Sequence, residues 1–197
     1  MPPHREIRAD FDRDSLVVYQ AYDDRIADAA LAAGRFVPPF SFTRMTWVKP
    51  SFLWLMARSG WGRKPGQTRI LAVRMRLGGW RSALSEAVLT AYEPGVHGDP
   101  EAWAEAFAAA PVHVQWDPER SLRGQKLGWR SIQVGISRHR IAAYAEQWVC
   151  GLDDLTPRVR KLREHLDAGR TDAARRLLPP ERPWPAPEAV RQRLGMA

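Results

Sequence analysis

Strand-patterned and helix-patterned stretches alternate along this chain, and that interleaving restricts the fold more than any other feature. Each element has one apolar face to bury, so alternating elements must stack in layers. Residues 15–22 (Ser-Leu-Val-Val-Tyr-Gln-Ala-Tyr) are rich in β-formers and read as a first strand. Asp23 or Asp24 can cap the helix that follows, which carries an apolar stripe of Ile26, Ala29, Ala30 and Ala33 and stops at Gly34. A second helix is predicted from near Pro50 to Ser59-Gly60, with the proline in its first turn. Residues 68–76, 112–116 and 131–136 read as further strands, the last two joined by a polar connection at 117–130. Residues 80–89, 100–109, 138–149 and 155–168 read as helices. The fold class is therefore α+β, a mixed sheet with interleaved helices.

At 197 residues with 45% hydrophobic content, the chain can build one well-buried core. We expect a single catalytic or binding domain over residues 1–168. The remaining stretch, 169–197, reads as a helical, proline-rich tail that packs over the domain or docks on a partner. No apolar run approaches the roughly 20 residues that cross a bilayer, and the N-terminus lacks the apolar core of a signal peptide, so a cytoplasmic protein without membrane contact is expected. The one cysteine, Cys150, excludes an internal disulfide and any multi-cysteine metal site, and it is expected to be buried. The five histidines are scattered and none forms a zinc-type i, i+4 pair, so no metal is expected. The loop Gly60-Trp-Gly-Arg-Lys-Pro-Gly66 matches neither the phosphate-loop pattern nor the dinucleotide fingerprint, and no cofactor is expected.

Charge is distributed unevenly. Between Asp28 and Glu86 there is no acidic residue, yet this stretch holds Arg35, Arg44, Lys49, Arg58, Arg63, Lys64, Arg69, Arg74, Arg76 and Arg81. These ten cations exceed the net charge of +8 of the whole chain. A folded surface normally intersperses the two signs, so a one-sign block points to an anionic partner, with tRNA or another RNA the leading class. Coding bias explains an excess of Arg over Lys but not the absence of Asp and Glu.

Candidate chemistry clusters in and after this block. On a helix from Ser51 to Ser59, Ser51, Trp54 and Arg58 share a face, presenting a hydroxyl, an indole and a guanidinium together. Such a face suits an RNA end, where aromatics stack bases, arginine grips phosphate, and a hydroxyl positions or attacks. The same residues also describe a core helix that Ser51 merely caps. Arg44, Lys49, Trp61, Arg63 and Lys64 complete the expected RNA-binding set. Asp117 and Glu119 are expected in a loop just past a strand end, where either can act as a general base, Glu119 with the longer reach. Tyr19 is a further catalytic candidate; it and Tyr22 should face opposite sides of their strand, so at most one lines a site.

The runs Val18-Tyr-Gln-Ala-Tyr22, Arg44-Met-Thr-Trp-Val-Lys-Pro-Ser-Phe-Leu-Trp54, Arg58-Ser-Gly-Trp61, Gln115-Trp-Asp-Pro-Glu-Arg120 and Arg130-Ser-Ile-Gln133 resemble the domain-of-unknown-function family 4291 over roughly residues 4–165. That family is associated here with the fungal arginine-containing cyclodipeptide synthases, which join aminoacyl groups taken from charged tRNA. The resemblance implies tRNA as partner and an aminoacyl-transferring, amide-forming enzyme, and it assigns no catalytic residue. The element order also looks like that of ADP-ribosyltransferases, which use NAD, although Gln20 stands where their first-strand Arg or His is usual. An RNA-binding protein without a reaction is the third reading.

Overall fold

The computed structural model describes residues 2–196. In chain order the elements are β1 (Arg8–Ala9), β2 (Ser15–Tyr22), α1 (Asp24–Ala33), β3 (Thr46–Val48), α2 (Phe52–Ser59), β4 (Arg69–Arg76), α3 (Leu77–Ser85), β5 (Ala87–Leu89), α4 (Pro94–His97) and α5 (Pro100–Ala109). They continue with β6 (Val112–Arg120), β7 (Lys126–Ile136), α6 (Ile141–Ala143), a π-helical turn (Tyr144–Trp148), β8 (Val149–Asp154), α7 (Thr156–Asp167), α8 (Thr171–Arg175), β9 (Arg182–Pro183) and α9 (Glu188–Arg193). Together they form one α+β domain.

Two main sheets organise it. In the first, β4 pairs antiparallel with β2 on one side and β8 on the other. The second has the order β3-β7-β6-β5, antiparallel except for the β5–β6 pair. The Tyr19 N–H donates to the Lys49 carbonyl at 2.6 Å, an antiparallel bridge that joins the two sheets just past the end of β3.

The period-2 alternation of β2 and β4 divides their side chains between two apolar clusters. Leu16, Val18, Leu71, Val73 and Met75 enter the larger core, with α1, α3 and the second sheet. Val17, Tyr19, Ile70 and Ala72 enter a smaller core closed by Phe52, Leu55 and Met56 of α2 and Val159 and Leu162 of α7. Tyr19 meets Phe52 edge-on with ring centroids 5.5 Å apart, whereas Tyr22 packs on the larger core, so the two tyrosines do face opposite sides.

Local rules account for most boundaries. Asp23 caps α1 by accepting from the Ile26 N–H, and Gly34 ends it with φ +65°. Pro50 lies one residue before the cap of α2 instead of in its first turn, because the Ser51 hydroxyl takes the cap by accepting from the Trp54 N–H.

Other expectations are corrected. The helix expected at 80–89 starts at Leu77 and yields to β5 after Ser85; its first turn contains Gly78 and Gly79, poor helix formers in isolation. Gly79 is required by packing, since a Cβ there would come within 2.3 Å of the Trp148 ring. The helix expected at 138–149 gives way to a π-helical turn and then to β8, whose edge position leaves Cys150 exposed, not buried. The polar connection expected at 117–130 is mostly a hairpin: β6 runs through Arg120 and β7 starts at Lys126. Asp117 and Glu119 are therefore strand residues. Pro118 is tolerated there because β5 reaches only as far as Val114, leaving the outer edge free, and because the ladder shifts register between Pro118 and Arg120.

The tail packs on the domain. β9 pairs with β1, the Trp184 N–H donates to the Ile7 carbonyl at 2.8 Å, and Trp184, Val190 and Leu194 are buried in the larger core. The Trp116 indole N–H donates to the Leu194 carbonyl at 3.0 Å.

Candidate functional site

Four of the seven cations of the basic block that lack a carboxylate partner among the described residues converge; Arg35, Arg76 and Arg81 do not join them. Carboxylates from outside the block neutralise part of it: Arg69 meets Asp24, Asp28 and Asp154, Arg74 meets Asp12, and Arg63 meets Asp167 at 3.8 Å. Arg44, Lys49, Arg58 and Lys64 have no carboxylate partner among the described residues, and all four line two adjoining clefts beside α2. The first cleft, about 390 Å³, is walled by Arg44, Lys49 and Arg58 with Tyr22 and Trp47. The second, about 410 Å³, is walled by Arg58, Lys64 and Arg120 with Trp54, Trp61 and Asp117. Arg58 belongs to both. Both volumes fall within the roughly 300–1,000 Å³ of small-ligand sites.

The loop after α2 is held rigidly by its own backbone. Gly60 adopts φ +60°, Trp61 φ +60° and Gly62 φ +70°, and Trp61 is the one non-glycine residue with positive φ among the described residues. The N–H groups of Arg63 and Lys64 both donate to the Ser59 carbonyl at 3.2 Å, and the Ser59 hydroxyl accepts from the Gly62 N–H. An indole in the left-handed region costs about 1–3 kcal/mol that glycine would not, the kind of strain that collects at functional positions.

Lys49 is the most perturbed cation. Its Nζ donates to the Trp47 carbonyl at 2.9 Å and stands 5.8 Å from the Trp54 ring centre. Burial, aided by the Arg58 charge and opposed by Asp117, brings its ammonium down to about 7. Asp117 is fixed by two side-chain amides, accepting from Gln115 at 2.9 Å and Gln133 at 2.7 Å. An amine that titrates near neutrality beside a fixed carboxylate can accept and release a proton at physiological pH.

The other catalytic candidates lie elsewhere. Tyr19, Ser51 and Glu119 are buried, and neither cleft has them on its walls. The Ser51 hydroxyl donates to Glu119 Oε1 at 2.9 Å while capping α2, and Glu119 also accepts from the Arg120 N–H at 2.7 Å. Burial raises the Glu119 carboxyl, against these hydrogen bonds. Helix α2 thus presents Trp54 and Arg58 to the second cleft while turning Ser51 inward. Arg63 lies beyond Trp61, on a third cleft.

Gln20 is saturated. Its amide donates to Tyr22 Oη and Thr46 Oγ1, both at 2.7 Å, and its carbonyl accepts from the Tyr144 hydroxyl. This residue ties β2, β3 and the π-helical turn together on the wall of the first cleft.

Two residues at or near the candidate site escape sequence reasoning. Arg120 was visible only as the end of the Gln115–Arg120 run, and it reaches the second cleft because β6 continues that far. Glu181, the one acid among residues 179–187, accepts from the Phe52 N–H at the start of α2 at 2.7 Å. Burial pushes its carboxyl up to about 8, with the Phe52 N–H opposing and the Glu119 charge adding to the rise.

Because the folded-state value of Glu181 lies above the ordinary 4.5, the folded protein retains a proton that the unfolded chain releases between about pH 4.5 and 8. Its contribution is fully present below that window and is lost as pH rises through it, at no more than about 1.4 kcal/mol per pH unit. Urea midpoints measured from pH 5 to 8 should therefore fall in the wild type and fall less in Glu181→Gln, whose amide does not ionise. Identical slopes assign the titration to other groups.

Among the described residues no group of three or more His, Cys, Asp or Glu side chains could hold a metal ion, and no helix is long and apolar enough to cross a membrane. No curated protein matches the sequence. The family model described as Domain of unknown function (DUF4291) matches residues 6–184, from just before β1 to Trp184, and the chain belongs to that family.

Proposed function

We propose that this protein takes aminoacyl groups from charged tRNA and joins them through amide bonds. The observation that carries the reading is the convergence of Arg44, Arg58, Lys64 and three indoles on two adjoining clefts that also hold Lys49, an amine titrating near pH 7. Guanidinium and ammonium groups neutralise phosphates, and indoles stack unpaired bases, which together suit a single-stranded RNA end. Two clefts sharing Arg58 suit two substrate ends held side by side. The reaction class comes from the association of this family with the arginine-containing cyclodipeptide synthases.

In this reading the α-amine of one aminoacyl group attacks the ester carbonyl of the other. A C–N bond forms and the ester C–O bond breaks. Lys49 Nζ, roughly half of it neutral at pH 7, takes the proton released from the attacking nitrogen and returns it to the departing ribose oxygen. Asp117 steadies the ammonium formed in between. Ser51 and Glu119, bonded to each other in the interior, hold the start of α2 and so orient Trp54 and Arg58.

Pure protein incubated with charged total tRNA, and separately with NAD, tests the proposal. A dipeptide, linear or cyclic, with matching loss of tRNA charge is the expected product. Release of nicotinamide instead assigns ADP-ribosyl transfer, and tRNA binding without product leaves a non-catalytic binder; either overturns the proposal.

A further inference from the structure

A third cleft lies on the far side of Trp61. It encloses about 350 Å³ between the Gly60–Gly66 loop and α7, and Trp61, Arg63, Arg160 and Arg163 stand on its walls together with Glu164 and Asp167. Trp61 also walls the second cleft, as Arg58 walls both the second and the first. The three clefts are therefore contiguous, with a guanidinium on one dividing ridge and an indole on the other.

The indole ridge is built, not incidental. Trp61 keeps a left-handed backbone between two glycines that adopt the same conformation, and the Arg163 guanidinium lies 6.0 Å from its ring centre. Asp167 engages Arg163 at 2.8 Å and Arg63 at 3.8 Å, which orders both side chains. Arg160 is exposed and has no carboxylate partner among the described residues. A basic residue outside the acid-free block thus adds one cation without a carboxylate partner to a cleft whose other two arginines share Asp167.

We infer that the three clefts form one continuous path for a single-stranded RNA end, which crosses Trp61 with a base stacked on the indole and places the next phosphate against Arg160 and Arg63. The inference rests on the RNA reading above and deepens it, adding a footprint on α7 that the acid-free block does not contain. Base-on-indole stacking tolerates any base, whereas phosphate contacts release counterions and make affinity depend on salt.

The test uses the full chain and oligoribonucleotides of one to five residues with a free 3′-hydroxyl. Wild-type affinity should rise with length until the third cleft is filled. In Arg63→Ala/Arg160→Ala the gain from the longer oligonucleotides should be lost while the mononucleotide binds as before, and the log affinity versus log salt slope should shrink by about 0.7, the worth of one phosphate contact in a single strand. Both side chains are exposed, so the fold should be unaffected. Trp61→Phe should retain most of the length dependence and Trp61→Leu should lose it. Length-independent wild-type binding, or a double variant with unchanged affinity and slope, overturns the path. Product formation from charged tRNA is read separately: product with a path that fails overturns only this inference, and length-dependent binding without product overturns only the proposed reaction.

Discussion

Replacing Lys49 with methionine is expected to lower turnover by about 10²–10⁴-fold, the usual worth of a positioned general base, with little change in fold. Methionine keeps the length and apolar stem of lysine, and the only hydrogen bond lost is the one to the Trp47 carbonyl, worth about 0.5–1.5 kcal/mol. Lys49→Arg should be nearly as damaging, because a guanidinium stays protonated. In the wild type the base must be neutral to act. Activity should therefore climb as pH rises through about 7, the value to which burial and Arg58 bring this amine. Asp117→Asn removes the group that opposes that fall and should move the profile to lower pH. Full turnover in Lys49→Met, or a pH profile that does not change in Asp117→Asn, assigns the proton transfer to another residue.

The second large effect concerns stability. Trp184→Ala should destabilise the fold by about 3–5 kcal/mol, the range for truncating a large buried aromatic. Trp184 is 4% exposed, packs edge-on against Trp80 with centroids 6.3 Å apart, and belongs to the same apolar cluster as β2 and β4. The residues around it close a gap of this size only in part, so most of the cavity cost remains. Equilibrium urea unfolding measures the change. A loss under about 1 kcal/mol contradicts the account of the tail as part of the core, because surface changes stay within roughly that size.

Much of the fold was legible because local rules and tertiary packing agree. The β-rich run at 15–22 became β2 with those bounds, and the caps Asp23, Gly34 and Ser51 act as their chemistry predicts. Misreadings occurred where packing overrode pattern. Gly78 and Gly79 argue against a helix in isolation, yet Trp148 needs the space that Gly79 leaves. The 144–154 stretch carries no signal that separates a helix from a π-helical turn followed by a strand. Pro118 suggested a loop, whereas the short reach of β5 frees that edge of β6 and lets the strand continue.

The candidate site was legible in composition but not in geometry. The absence of acids between Asp28 and Glu86 marked the cations, and only three-dimensional pairing separates Arg69 and Arg74, neutralised by distant carboxylates, from Arg44, Lys49, Arg58 and Lys64. Helical spacing placed Ser51 with Trp54 and Arg58, but a capping hydroxyl turns toward the helix axis, and Ser51 is bonded to Glu119 in the interior. The depressed value of Lys49 arises from burial and from a neighbour nine residues along the chain, so no local pattern announces it.

The central claim is that the cleft cations Arg44, Arg58 and Lys64 bind the end of an RNA. Equilibrium binding of charged tRNA across a salt series tests it most directly, with wild type compared with Arg44→Ala, Arg58→Ala and Lys64→Ala combined. The account predicts that wild-type affinity falls linearly with salt on logarithmic axes and that the combined variant binds more weakly with a slope about 2 smaller, roughly 0.7–0.9 for each phosphate contact removed. Wild-type affinity that does not respond to salt, or a combined variant with the wild-type slope, contradicts it.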